Sequence, residues 1–431
     1  MTLLLTITIT TLLLMILAII FFPSIKIKSF KISSYWLIAL MGALLIISFN
    51  LITLGDVSQG FFFEESINPI KILTLFLSFT VFSIFLDEIG FFAYIASKVA
   101  ASAHHSQKTL FTSLYMLTSV LTVFTANDIV ILTLTPFIIY FAKNAKINPL
   151  PYLLAEFVGA NTWSMLLIIG NPTNIYLATS FNIDFFSYLL IMALPTLSAG
   201  VSSYLIMRLL FKKHLETPLE NSVSMAEPSR PLMVMGLIHL GFATFLIAIS
   251  GYLKIQMWLV PLIGALSLFA VTTIYLLFNK KSWRILFKVL KRVPYGIVPF
   301  MLSMTVIVIA LDKYEIPLFM AQKLIGISPL FSYGFSSFIF SNIINNIPMS
   351  ILFTEVLESS ATLSLPAVYA TIIGSNLGAI LSPIGALAGI MWMTILKKEG
   401  IPYGYGSFLR YGLVISIPLL VVSLLGLGLL F

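Results

Sequence analysis

The sequence contains no cysteine, which excludes a disulfide framework, a thiolate metal site and a cysteine nucleophile. Histidine is scarce as well: His104, His105, His214 and His239 are all there are, and their spacing matches no metal-ligand pattern. Charge is the third shortage. Asp, Glu, Lys and Arg make up 9% of the chain, against about 25% in a soluble globular domain. Apolar residues fill the space. They are 59% of the 431 residues, more than a soluble fold of this size could bury, so lipid has to be the solvent. The net charge of +8 is then expected in loops at the cytoplasmic face of a cell membrane, and it suggests no nucleic-acid partner.

Apolar runs of about 20 residues, the length that crosses the hydrocarbon core, occur at 2–22, 35–55, 70–97, 185–211, 233–250, 257–278, 295–311 and 411–431. The first lacks a basic start and a small-residue cleavage site, so it reads as a retained span and not a signal peptide. Most of the Lys and Arg residues fall in linkers that can share one side, the richest being Lys280, Lys281, Arg284, Lys288, Lys291 and Arg292. The opposite side holds Asp56, Glu64, Glu65, Asp184, Asp312, Glu315, Glu355 and Glu358 with few cations. The positive-inside rule makes the basic side cytoplasmic and puts both termini outside.

Two stretches do not fit single spans. Residues 109–142 are too long for one and short for two, carry Asn127 and Asp128 near the middle, and have basic flanks at both ends. They read as a re-entrant hairpin dipping in from the cytoplasm. Residues 329–357 have the same design around Asn345 and Asn346 but acidic flanks, so this hairpin should enter from the other face. Half a chain length separates Pro151 from Pro366, Gly159 from Gly374, Asn161 from Asn376 and Gly170 from Gly385. The expected fold is therefore an all-α polytopic membrane protein of two inverted repeats, each with a re-entrant hairpin and a broken transmembrane helix. The first repeat is 1–211, with its broken helix at 150–180. The second is 233–431, with its broken helix at 363–396, and a cytoplasmic linker at 212–232 joins them. Glycine and proline break the helices, and bare backbone at membrane depth persists only where it lines a cavity inside the protein. Paired broken helices in corresponding positions are a pointer to a transporter's binding site.

A charge at mid-bilayer costs about 2.5–3.5 kcal/mol, so an acid there is a functional candidate. Asp128 sits at a hairpin tip, where half-helix ends offer free N–H and C=O groups. A helix cap is the ordinary role of such an acid, but a cap this deep in a membrane would be unusual. Glu156 lies one turn into its span; it either serves in coupling or reaches the cytoplasmic interface. Asp87 and Glu88 stand at a span end and read as interfacial anchors. Asn127, Asn161, Thr162, Asn171, Asn174, Asn345, Asn346, Asn376 and Ser382 supply neutral oxygens and amides at the tips and breaks, suited to Na⁺ or to a hydroxylated solute. No metal centre or bound cofactor is expected; the coupling ion would be H⁺ or Na⁺. The run 279–292 is basic and amphipathic and reads as a surface helix against anionic membrane lipid.

These residues carry a resemblance. Leu86-Asp87-Glu88-Ile89-Gly90-Phe91-Phe92, Ala126-Asn127-Asp128 followed by Leu132-Thr133-Leu134-Thr135-Pro136, Ser341-Asn342-Ile343-Ile344-Asn345-Asn346-Ile347-Pro348, and Ile384-Gly385-Ala386-Leu387-Ala388 with Trp392 resemble motifs of the ArsB-type arsenite permease family. That family lies within a clan that includes NhaD-type antiporters, the melanosomal P protein and dicarboxylate symporters. The resemblance covers nearly the whole chain and implies a carrier coupled to an ion gradient, working by an elevator-like movement. An arsenite-type carrier would allow a soluble ATPase partner, and a homodimer is compatible with the resemblance. Two positions depart from the arsenite permeases, which have aspartates where this chain has Asn161 and Asn376. Pro151, Glu156, Asn161 and Gly170-Asn171-Pro172-Thr173-Asn174 look more like the NhaD and P-protein branch. The expected order of cargo is arsenite or antimonite efflux, then Na⁺/H⁺ antiport, then a small anion such as a dicarboxylate. Lack of cysteine does not exclude arsenite, because an exporter should hold neutral As(OH)₃ by hydrogen bonds and not by tight thiolate bonds. A membrane enzyme would need a nucleophile–base pair, and no histidine lies near Asp128 or Glu156 in the chain; a channel would need a continuous pore, against which the paired breaks argue.

Overall fold

The computed structural model describes residues 1–22, 24–27, 30–62, 68–103, 106–218, 227–324, 328–360 and 364–431. Helix α1 (Thr2–Phe21) leads through a short antiparallel ribbon, β1 (Ser24–Ile27) and β2 (Phe30–Ser33), to α2 (Ser34–Ser48) and α3 (Leu54–Phe62). The ribbon pairs Ser24 with Ser33 and Ile27 with Phe30, a small departure from the all-α expectation. Next come α4 (Pro69–Glu88), α5 (Phe91–Ala101), α6 (Gln107–Phe124), α7 (Asn127–Asn144), α8 (Leu150–Trp163), a 3-10 turn at Ile168–Gly170, α9 (Pro172–Ser180) and α10 (Phe185–Leu210). Then follow α11 (Lys212–Leu215), α12 (Arg230–Leu253), α13 (Leu259–Phe278) and α14 (Arg284–Arg292). The chain ends with α15 (Ile297–Lys313), α16 (Ile316–Leu324), α17 (Pro329–Ile344), α18 (Asn346–Glu358), α19 (Leu365–Leu381), a 3-10 turn at Pro383–Gly385, α20 (Leu387–Lys398) and α21 (Tyr405–Gly428).

Among the described residues, seven helical stretches are long and apolar enough to cross a membrane. Their outward faces carry exposed Leu190, Leu209, Phe242, Ile263 and Leu425, which only lipid can cover. The protein is a multi-pass membrane protein. One expected span is two helices: the run 70–97 breaks at Gly90, whose φ of +83° costs glycine nothing and would strain other residues. The run 35–55 stops early, at Ser48. His104, His105, Glu64 and Glu65, and residues 219–226 of the expected linker, lie outside the described residues.

Helices α6 and α7 pack on α8, as α17 and α18 pack on α19. The second arm of each helix pair also meets the far half of the other broken helix: α7 touches α20, and α18 touches α9. Helices α10 and α21 pack against each other. Around this centre, α12, α13 and α14 brace α4, while α2 and α3 brace α15. Ion pairs fix both braces. Lys288 and Arg292 of α14 hold Asp87 and Glu88 at the end of α4. Asp56 of α3 meets Lys313 of α15 at 2.7 Å. Two buried aromatic side chains find partners for their polar ends: Tyr188 donates to the Met165 carbonyl at 3.0 Å and Trp163 to the Tyr115 hydroxyl at 3.0 Å.

Candidate solute-binding site

Interrupted helices make the site. The α6–α7 pair is broken at Thr125 and Ala126, which are extended, and its arms run 107–144, longer than the expected 109–142. Arms of 18 residues reach about 27 Å, most of the thickness of a bilayer core. The α17–α18 pair turns at a single residue, Asn345, with φ +74° and ψ 153°. That region is nearly reserved for glycine and costs a side-chain-bearing residue about 1–3 kcal/mol. Packing holds it there: the Asn345 side-chain amide donates to the Ile384 carbonyl at 2.9 Å.

One broken helix is interrupted between α8 and α9 and another between α19 and α20. The first ends at Trp163, and Asn171 caps its second half by accepting from the Thr173 N–H at 3.2 Å; Pro172 at the first helical position needs no acceptor. The second ends at Leu381, with Ser382 extended before the turn. Helices α17 and α19 approach so closely that a Cβ on Gly374 would strike Ser337 and the Gly334 carbonyl, and one on Gly378 would lie 2.8 Å from the Phe338 carbonyl. This closeness lets Asn342 donate across to the Gly378 carbonyl at 2.9 Å while accepting from the Ser382 hydroxyl at 2.7 Å.

One amide joins the halves. Asn376, fully buried, accepts at Oδ1 from the Ser164 hydroxyl at 3.0 Å and from Asn171 at 2.9 Å. Its Nδ2 donates to Asn174 Oδ1 at 2.7 Å and to the Ile372 carbonyl at 2.9 Å. Asn174 in turn donates to the carbonyls of Ser164 and Leu167 in the first break. Asn161 is tied to the first tip instead: Asn127 donates to it at 3.2 Å, and Asn127 Oδ1 accepts from the Asp128 N–H at 2.9 Å. Thr162 and Ser375, each one residue from a buried asparagine, have buried hydroxyls with no hydrogen-bond partner among the described residues. The Asp128 carboxylate and the Asn346 amide likewise take part in no side-chain hydrogen bond among the described residues; Asp128 lies within electrostatic reach of Tyr35 on α2. No hydrogen bond joins the two tips directly among the described residues. Each is bonded to a broken-helix segment instead, Asn127 to Asn161 and Asn345 to the Ile384 carbonyl.

Glu156 is 1% exposed, so its carboxyl is enclosed by protein. Thr135 Oγ1 lies 2.9 and 3.0 Å from its two carboxylate oxygens, and Trp392 stands beside it with an indole N–H that has no hydrogen-bond partner among the described residues. No cation pairs with it among the described residues. Thr135, Ser164 and Asn342 belong to the network but were not singled out in the sequence. Ser164 lies inside the first break and Asn342 inside the Ser341–Pro348 motif, so a search for every polar residue in those segments would have found both.

Among the described residues the arrangement offers amides, hydroxyls and helix ends, two carboxyl groups, and no Lys or Arg side chain. A family model described as CitMHS, a citrate transporter, matches residues 16–374. The chain belongs to that family. It is 27% identical over 372 residues to the arsenical pump membrane protein of Escherichia coli, covering 82% of this chain and 85% of that one. It is 26% identical over 419 residues to a putative arsenical pump membrane protein of Bacillus subtilis, covering 89% and 91%. The YdaH transporter of Alcanivorax borkumensis superposes with a TM-score of 0.58 at 13% identity over 99% of this chain and 97% of that one, a likeness of fold alone. This CitMHS-family chain is a membrane transporter and not an enzyme.

Proposed function

We propose that this transporter is an ion-coupled secondary carrier that exports arsenite or antimonite as the neutral hydroxide. The observation that carries the reading is the buried amide of Asn376, bonded to Ser164, Asn171 and Asn174, at the meeting of two broken helices. A neutral trihydroxide presents donors and acceptors in equal measure, which amides and hydroxyls match. Citrate brings up to three negative charges, and burying those without Lys or Arg would be costly. Asp128 and Glu156 are the groups for coupling to H⁺ or Na⁺, since each changes charge when an ion binds. The order of elements from α4 to α10 recurs from α15 to α21, and we read the two runs as inverted repeats with the basic loops facing the cytoplasm. A second reading, Na⁺/H⁺ antiport, is favoured by Glu156, a buried carboxyl with a hydroxyl partner and no cation.

Proteoliposome flux decides between these. Saturable As(III) movement driven by a pH or Na⁺ gradient, with no citrate movement, is the expected result. Citrate flux without As(III) flux would overturn the proposal, and Na⁺/H⁺ exchange without As(III) flux would select the second reading.

A further inference from the structure

A cleft of about 420 Å³ opens at the Glu358 end of the molecule, and the site described above does not include it. Its walls include Lys71, Thr179, Ser180, Asp184 and Glu358. Glu358 is the last residue of α18, whose first residue is Asn346 at the hairpin tip about 20 Å away. Between them, at successive steps of four, stand Ser350 and Thr354, so Asn346, Ser350, Thr354 and Glu358 form one ridge that winds about 120° around the helix from tip to cleft. The first three are 3%, 0% and 0% exposed. A buried polar stripe therefore connects the tip to the cleft.

Serine and threonine are common packing residues in membrane helices, and Ser350 and Thr354 do donate to carbonyls of their own helix. What sets this stripe apart is the element packed beside it. Helix α9 lies against α18 and brings Tyr176 and Thr179. Tyr176 is 2% exposed and lies within electrostatic reach of Glu355 and Glu358. The Thr179 hydroxyl is buried and without a partner among the described residues. From α15, Asp312 lies within electrostatic reach of both glutamates. The cleft walls hold Lys71 against two carboxylates, Asp184 and Glu358, so acid is in excess there by one group, with Glu358 at the inner end; Glu355 and Asp312 stand behind Glu358 and do not line the cleft. The corresponding seam at the opposite end, between α7 and α20, is closed by the ion pair of Lys143 with Glu399 at 2.9 Å and by the rings of Trp392 and Tyr403.

We propose that the seam between α9 and α18 is the route by which small cations pass between the cleft and the hairpin tip at Asn346. The proposal deepens the carrier reading by giving its coupling ion a path. Its test is made without transport. The natural lack of cysteine gives a silent background, so Ser350→Cys and Thr354→Cys can be probed singly with two membrane-impermeant methanethiosulfonates, one cationic and one anionic. Both positions should react from the Glu358 face. The cationic reagent should be preferred by about tenfold over its preference on a small free thiol, the scale of focusing expected in a charged cleft. Glu355→Gln combined with Glu358→Gln should remove most of that preference without blocking the reaction. Absence of reaction at both cysteines, in protein whose melting temperature matches the parent, would overturn the route, and equal preference with and without the glutamates would overturn its cation selectivity. Loss of the carrier reading would show differently, as absent As(III) and Na⁺ flux with the labelling pattern intact.

Discussion

Replacing Asn376 by alanine tests the centre of the structure. The substitution removes three hydrogen bonds that cross from the second broken helix to the first, those with Ser164, Asn171 and Asn174. Hydrogen bonds inside membrane bundles average about 0.6 kcal/mol each in double-mutant cycles and reach about 1.7. Three of them make a loss of about 2 kcal/mol the central expectation, or roughly 30-fold in the folded equilibrium. The partners left behind are all buried, so the loss should fall toward the high side, because an abandoned buried donor costs more than the bond gained. Reversible unfolding in mixed detergent micelles measures the effect, and the cycle with Asn174→Ala isolates the Asn376–Asn174 bond at 2.7 Å. The expected coupling is about 0.6–1.7 kcal/mol. As(III) flux in the same variant should fall steeply, since the two breaks would no longer be held in register. A variant within about 0.5 kcal/mol of the parent, the range of an indifferent surface change, together with zero coupling, would refute the reasoning.

Asp128→Asn should abolish gradient-driven flux while exchange of substrate for substrate survives, because only net coupling needs the charge; full driven flux in that variant would exclude the role given to Asp128. Glu156→Gln keeps a hydrogen-bond partner for Thr135, so the protein should fold with a near-parental melting temperature and show reduced driven flux. Single cysteines at Asn144 and Ser359 should label from opposite faces, and labelling from one face would rule out oppositely directed hairpins. The Lys313 ammonium beside Asp56 holds that carboxyl below the ordinary range, at about 2. A depressed carboxylate stabilises the fold above its unfolded value, near pH 4, and loses that contribution as pH falls toward about 2. Asp56→Asn should therefore lower the melting temperature slightly at pH 6 in low salt but not at pH 2, and high salt should erase the difference.

The elements were largely legible in the residues, for reasons that can be stated locally. Pro172 and Pro366 mark helix starts, Gly170 and Gly385 mark breaks, and Asn127 and Asn345 mark turns in otherwise apolar segments. Gly90 was less legible, because a single glycine in a long apolar run is tolerated by many membrane helices, and only its φ of +83° shows that the chain turns there. Glu156 was undecidable from its place in the chain. One turn inside a span is compatible with reaching the interface or with burial, and the choice depends on Thr135 and Trp392 arriving from two other helices.

The sequence by itself determined that this chain lives in lipid, where its helices break, and which polar residues stand at the breaks. Those facts follow from composition and from single residues, because a bilayer leaves no other solvent for so much apolar surface and proline or glycine acts on its own helix. Only the tertiary structure decided which of those residues meet. Asn376 bonds Asn171 and Asn174, 205 and 202 residues away, while its sequence counterpart Asn161 bonds the nearby tip at Asn127. An amide carries the same donors and acceptors wherever it sits, so its choice of partner is set by how closely helices such as α17 and α19 pack, and that is a property of the assembled bundle.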